Sequence, residues 1–357
     1  MPARPLSSVG QALLLGALVA SGCVITPGGK DRDGTDDTAD TADGGGGNNL
    51  QWRPAGRGKA YLLDGEQDHS LFTLEVTRTA PPDDGDAYYG FLLGGDSGTL
   101  ALGEIEVQGD QVVFEHELGV NAFLAGYNRF EAYAHDAVPS GPGEGTPLWE
   151  GAFSEDAARI LEELLVSSPE APNGEGSLRA IETTVETIRD YGLDGLETLD
   201  NVQVLQNRGE AMANGIKNEE LDHNSDGTVS TIGGLTVGLV GDSGQVEIIL
   251  DDLTEAFNAF GGQSADDDVR GALDDAYDCV ENIERHVESA YSTAGTVTVC
   301  GAASSCQGLL QDAADDLQLV LDGQDVNEDG AIDDSEGTVE CAIDHVSRLM
   351  AFDVATP

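Results

Sequence analysis

Positive charge is what this chain lacks most. Its 357 residues hold 16 Lys and Arg against 67 Asp and Glu, a formal net charge of −51 at pH 7. A surface of that sign repels phosphate, so nucleic acid and anionic lipid head groups are excluded as charge-driven partners. Divalent cations or basic partners fit it better. The apolar run Ala12–Ala20 is too short to cross ~30 Å of hydrocarbon as a helix. Catalytic signatures are missing as well. There is no Ser-His-Asp context, no HExxH and no Gly-rich phosphate loop ahead of a helix. The six His are scattered over positions 69, 116, 135, 223, 286 and 345. Paired carboxylates carry no information in a chain this acidic. A hydrolase or other enzyme is therefore the weaker expectation, and a non-catalytic binding or structural protein the stronger one.

Cysteine is scarce too, with five residues in all. The first follows an N-terminus that reads as an export signal. Arg4 precedes the short apolar core, and Ala20-Ser-Gly-Cys23 places small residues before a cysteine. This resembles the lipobox of bacterial lipoproteins, which implies cleavage after residue 22 and lipidation of Cys23. Val24 lacks the Asp that marks inner-membrane retention, which points to the outer membrane. Residues 24–50 are Gly, Asp and Thr with almost nothing to bury, the composition of an extended, disordered tether. The remaining four, Cys279, Cys300, Cys306 and Cys341, form an even set in an exported chain and read as two disulfides with three possible pairings. Cys300–Cys306 and Cys279–Cys341 are expected, since the first two flank a short turn between helices. The competing reading is a metal site of Cys279, His286, Cys341 and His345. An oxidising compartment and unfamiliar spacings argue against it.

Residues 51–153 contain short apolar stretches separated by turn residues. Strands are expected at 59–63, 70–77, 87–93, 99–107, 112–117, 127–135 and 147–153, several with period-two alternation. Gly109-Asp110 between Val107 and Val112 signals a tight hairpin, and Gly103 a bulge. Six or seven such strands predict an antiparallel β-sandwich. Ala87-Tyr-Tyr-Gly-Phe-Leu-Leu93, Leu102-Gly-Glu-Ile-Glu-Val107 and Asn121-Ala-Phe-Leu-Ala-Gly-Tyr-Asn-Arg-Phe-Glu131 resemble, in that order, the extracytoplasmic domain of anti-sigma-K factors. The resemblance covers about 80 residues and implies the sandwich fold and a position outside the cytoplasm. It also suggests an envelope-sensor module as an alternative function. The sigma-binding segment and transmembrane helix of that family have no counterpart here.

Residues 154–357 switch to helical period. Leu178, Ile181, Val185 and Ile188 form one stripe, and Leu196, Leu199, Val202 and Leu205 another. Val246 to Phe260, Val269 to Ala290, Leu310 to Val320, and Val339 to Met350 carry the rest. Six or seven helices in a bundle are expected. The full expectation is thus all-β followed by all-α, with calcium loops as bundle connections.

Two stretches carry that calcium expectation. In Asp325-Val-Asn-Glu-Asp-Gly-Ala-Ile-Asp-Asp-Ser-Glu336, oxygen ligands fall at positions 1, 3, 5, 9 and 12: Asp325, Asn327, Asp329, Asp333 and Glu336. Gly330 takes the sharp turn, Ala331 offers its carbonyl, and Ile332 is placed to pin the loop to the core. A weaker copy runs over 222–233, with Asp222, Asn224, Asp226, Thr228 through its carbonyl, and Ser230 as ligands, and Val229 as the apolar position. Its twelfth position is Gly233, so the closing carboxylate must come from elsewhere, with Glu219, Glu220 or Asp242 as candidates. The loops resemble those of EF-hand and dockerin-type modules. Together these features predict a membrane-tethered, calcium-binding surface lipoprotein that binds a protein or surface polymer.

Overall fold

A computed structural model describes residues 57–64, 70–94, 98–143, 146–194, 196–241, 243–324, 332 and 337–357. The export signal, Cys23, the tether, Asp242 and the loop 325–336 apart from Ile332 lie outside the described residues. No helix among the described residues is long and apolar enough to cross a membrane.

Seven strands appear where the apolar stretches place them: β1 (Arg57–Asp64), β2 (Ser70–Thr77), β3 (Ala87–Gly94), β4 (Gly98–Ile105), β5 (Gln111–Glu117), β6 (Arg129–His135) and β7 (Trp149–Ala152). Alternation is clean in β2, where Phe72, Leu74 and Val76 are buried and Glu75 and Thr77 exposed, as a half-buried strand requires. The bulge at Gly103 is present. Gly90 pairs with Gly103 but Phe91 with Ala101, and Gly103 has φ of 98°, a conformation glycine reaches without a Cβ clash.

The sandwich does not form. All strands join one antiparallel sheet in the order β4-β3-β6-β7-β8-β1-β2-β5, where β8 is Ala351–Ala355. The sheet curls until its end strands β4 and β5 touch, which gives a nearly closed barrel rather than two packed layers. The Gly109 turn exists, with φ of 72°. It connects the two ends of the sheet through a single bridge, Gln108 to Gln111, instead of starting a hairpin ladder. Strong curvature is the physical reason, because it brings the outermost strands side by side without forming a second sheet.

The eighth strand also corrects the expected division at residue 154. β8 lies between β1 and β7, pairing Ala60 with Phe352 and Glu150 with Ala355. The helical region is therefore an insertion between two sheet strands, and residues 52–357 form one compact unit. Its helices are α1 (Glu155–Leu165), α2 (Ser177–Leu193), α3 (Val202–Lys217), α4 (Gln245–Ala259), α5 (Asp267–Val297), α6 (Ala303–Asp322) and α7 (Val339–Arg348). One apolar core runs without interruption from Ala60 and Trp149 of the sheet to Val280 and Leu317 of the helices. Phe153 joins the two parts. Its ring stands edge-on to Phe352 at 4.9 Å and to Phe260 at 6.4 Å.

Helix starts are set by Ser154, whose Oγ accepts from Ala157 N at 3.1 Å, by Asn201, and by Thr338, whose Oγ1 accepts from Cys341 N at 3.1 Å. Asn201 also breaks the expected stripe from Leu196 to Leu205. Leu196–Thr198 is a separate 3-10 turn, and α3 begins only after this cap.

Candidate functional site

The loop after α3 is built against a polar face of that helix. Glu210 and Asn214 are four residues apart, so they stack on one side, and both are buried in spite of their polarity. Asn214 works as a backbone clamp. Its Nδ2 donates to Leu221 O and Ser230 O, both at 2.9 Å, and its Oδ1 accepts from Leu221 N at 3.2 Å. The two ends of the candidate loop are thereby held to one side chain. Glu210 is fully buried and takes the loop's next two residues. Its Oε1 accepts from His223 N at 2.9 Å and its Oε2 from Asn224 Nδ2 at 3.2 Å.

Inside the loop the side-chain oxygens turn the backbone. Asp222 accepts from Asp226 N at 3.1 Å and Gly227 N at 2.9 Å; Asn224 Oδ1 accepts from Asp226 N at 3.0 Å; Asp226 Oδ1 accepts from Thr228 N at 2.8 Å. Ser225 and Gly227 take positive φ of 59° and 87°, which lets successive amides face inward. Gln203 of α3 donates to Asp226 Oδ2 at 2.8 Å. Positions 1, 3 and 5 of the expected ligand set thus share one turn, and Ser230 is tied through its carbonyl.

Two expectations about this loop do not hold. Val229 is 43% exposed, so the core anchor is Ile232, at 8%. Ile332 of the other loop is likewise exposed at 45%. A carboxylate that bonds the loop comes from farther upstream than the candidates Glu219 and Glu220, from Glu210 on α3. The signal for it was in the sequence, as Asn207, Glu210 and Asn214 repeat at helical spacing just before the loop. Among the described residues no Lys or Arg pairs with Glu210. A fully buried carboxylate facing an acidic loop is costly unless charge or hydrogen bonds compensate it.

The second cluster holds the cysteines. Cys279 of α5 bonds Cys341 of α7 with Cα atoms 6.1 Å apart, and Cys300 bonds Cys306 across the α5–α6 turn at 5.5 Å. This is the pairing expected. His345, one helical turn after Cys341, is buried, and its Nδ1 lies 3.6 Å from Asp275 Oδ2. One imidazole nitrogen and both sulfurs of Cys279 and Cys341 lie within 4.8 Å of one another. No other trio of carboxylate, thiol or imidazole ligand atoms among the described residues is that close. His286 stands outside the group. It is buried, its Nε2 has no hydrogen-bond partner, and burial, helped by Arg285, lowers its pKa.

A third titratable group sits between α1 and α4. Burial, together with Glu163, Glu255 and Glu170, pushes the Asp252 carboxyl up to about 7 against the opposing effect of Arg159. Arg159 bridges Glu163 at 2.5 Å and Glu255 at 2.9 Å.

No protein-family model, curated protein or solved structure matches the chain.

Proposed function

We propose that the protein is a non-catalytic, calcium-binding scaffold of the cell envelope, tethered by a lipid on Cys23 and exposed outside the cytoplasm. The observation that carries this reading is Glu210, a buried carboxylate with no basic partner among the described residues, set against the loop that bears Asp222, Asn224 and Asp226. Calcium takes six to eight oxygens and tolerates mixed carboxylate, amide and carbonyl ligands. In the 222–230 loop, Asp222, Asn224, Asp226, the Thr228 carbonyl and Ser230 supply them, and Glu210 takes the place of the missing closing acid. The stronger ligand order of Asp325, Asn327, Asp329, Ala331, Asp333 and Glu336 adds a second ion just before α7. Calcium in this reading does no chemistry. It neutralises clustered carboxylates and fixes two connections of the helical insertion, whose outer surface is left to bind a protein or polymer.

Calorimetric titration of the mature chain with calcium tests this. Two binding events are expected. Glu210→Gln should weaken one of them by about tenfold or more, and Glu336→Gln the other. Heats indistinguishable from dilution would refute the calcium reading.

A further inference from the structure

The Cys279–Cys341 bond is more than a staple in its surroundings. A disulfide that only joins two helices needs no polar company, yet His345 is buried beside it, 5% exposed at the side chain. Its Nδ1 lies 3.6 Å from Oδ2 of Asp275, one turn before Cys279 on α5. Two sulfurs, an imidazole nitrogen and a carboxylate behind the imidazole are the parts of a thiolate–histidine metal centre with its outer-shell partner. The spacing suits one. Tetrahedral ligands around a zinc-sized ion stand roughly 3.8 Å apart, given metal–sulfur bonds of ~2.3 Å; the imidazole nitrogen lies within 4.8 Å of both sulfurs, and the sulfurs, bonded at 2.07 Å, separate on reduction. The helices are also joined without the bond, because Ala276, Val280 and Ile283 of α5 and Ala342 and Val346 of α7 are buried in the shared core. Asn282 adds a tie, donating to Gly337 O at 2.7 Å just ahead of α7.

A cleft adjoins Asp275. Asp275 lines an open cleft of about 500 Å³ together with Lys59, Tyr61, Asp268 and Arg348. Its side chain is 39% exposed, and Cys341 is partly exposed while Cys279 is buried.

We propose that reduction of Cys279–Cys341 converts this cluster into a binding site for a thiophilic divalent ion such as Zn²⁺. A dithiol reductant supplies two electrons and two protons by exchange. Its thiolate attacks the sulfur of Cys341, Cys279 leaves as thiolate, and a second attack releases the oxidised reductant and two free thiols. On binding, each thiol gives its proton to solvent, and neutral His345 donates a nitrogen lone pair. Water completes the fourth position. Exchange in the reverse direction with a disulfide oxidant, which accepts the two electrons, returns the disulfide and expels the ion. This site is independent of the calcium loops, whose oxygen ligands prefer hard cations.

The test uses Co²⁺ as the probe on the full mature chain, in oxidised form and after reduction by a phosphine. The reduced protein is expected to take up one Co²⁺ with a thiolate-to-cobalt charge-transfer band, which the carboxylate loops cannot produce, and the oxidised protein is expected to show none. The band should vanish in Cys279→Ser and persist in the double variant Cys300→Ser, Cys306→Ser. Affinity should fall about tenfold in Asp275→Asn and further in His345→Ala. Helical circular dichroism is followed in parallel. A reduced protein that keeps its helical signal but gives no band overturns the proposal. So does a band that survives Cys279→Ser, an affinity unchanged in His345→Ala, or a chain that loses its helices on reduction and does not regain them when Zn²⁺ is added.

Discussion

The sheet and the helical insertion share one core but are held together by different means. The sheet relies on apolar side chains and backbone pairing, and its weakest point is topological. Its middle contains β8, which arrives only after the whole insertion has been made. The insertion carries two disulfides, buried polar groups on α3 and most of the polar ties that cross between elements. A chain this acidic gains little from surface ion pairs, so its helical part depends on covalent bonds, buried amides and, in our reading, cations. Because the core is continuous, a change of solvent that loosens the charged insertion loosens the sheet with it.

Breaking the sheet at its late strand should have the largest effect. Phe352 is buried, pairs opposite Ala60 and packs on Phe153. Phe352→Ala should cost ~3–5 kcal/mol, and urea unfolding should show sheet and helix signals falling together. Separate transitions would mean that the insertion folds without its frame. The disulfides come next. Loop-closure entropy gives roughly 4 kcal/mol for the 62-residue separation of Cys279 and Cys341 and roughly 2 kcal/mol for the 6-residue separation of Cys300 and Cys306. Denaturation of Cys279→Ser and Cys300→Ser should therefore rank in that order.

The smallest effect is one of pH. Asp252 has a folded-state pKa of about 7 against an ordinary 3.8, chiefly through burial. Between those values the folded chain keeps a proton that the unfolded chain has lost. Stability therefore falls as pH rises from about 4 to 7 and levels off above. Asp252→Asn should remove this contribution, so that the variant melts higher than the parent at pH 8 and converges with it near pH 4.

Much of this architecture was legible in the residues, and the exceptions have physical causes. β2 followed from its period-two pattern because it buries one face, whereas β3 and β6 bury residues on both and were marked by short apolar runs between turn residues. The bulge at Gly103 followed from a glycine inside a strand and Cys300–Cys306 from short chain distance, while Cys279–Cys341, 62 residues apart, followed from the order and direction of the helices. β8 did not. Ala351-Phe-Asp-Val-Ala355 alternates, but Met350 extends the helical stripe of Val339, Ile343 and Val346, so the last apolar residues read as helix. The closed sheet was hidden for another reason. Strand patterns give which face is buried but not which strands are neighbours, and the turn at Gly109 joins strands that meet only through curvature. Glu210 was not legible because it stands a dozen residues ahead of Asp222, where only the return of the chain along α3 brings it to the loop, whereas Glu219 and Glu220 adjoin the loop in sequence.

The most direct test of the calcium account is thermal unfolding of the mature chain, followed by the helical signal, in millimolar calcium and again in excess chelator. Binding to the folded state alone stabilises by ~2.7 kcal/mol at a hundred times the dissociation constant. The account predicts a higher Tm with calcium. Asp325→Ala should erase most of the gain, and Asp222→Ala or Glu210→Gln a smaller part. The sheet signal should move with the helices because the core is continuous. An identical Tm with calcium and with chelator would contradict it, and the two loops would then be acidic turns.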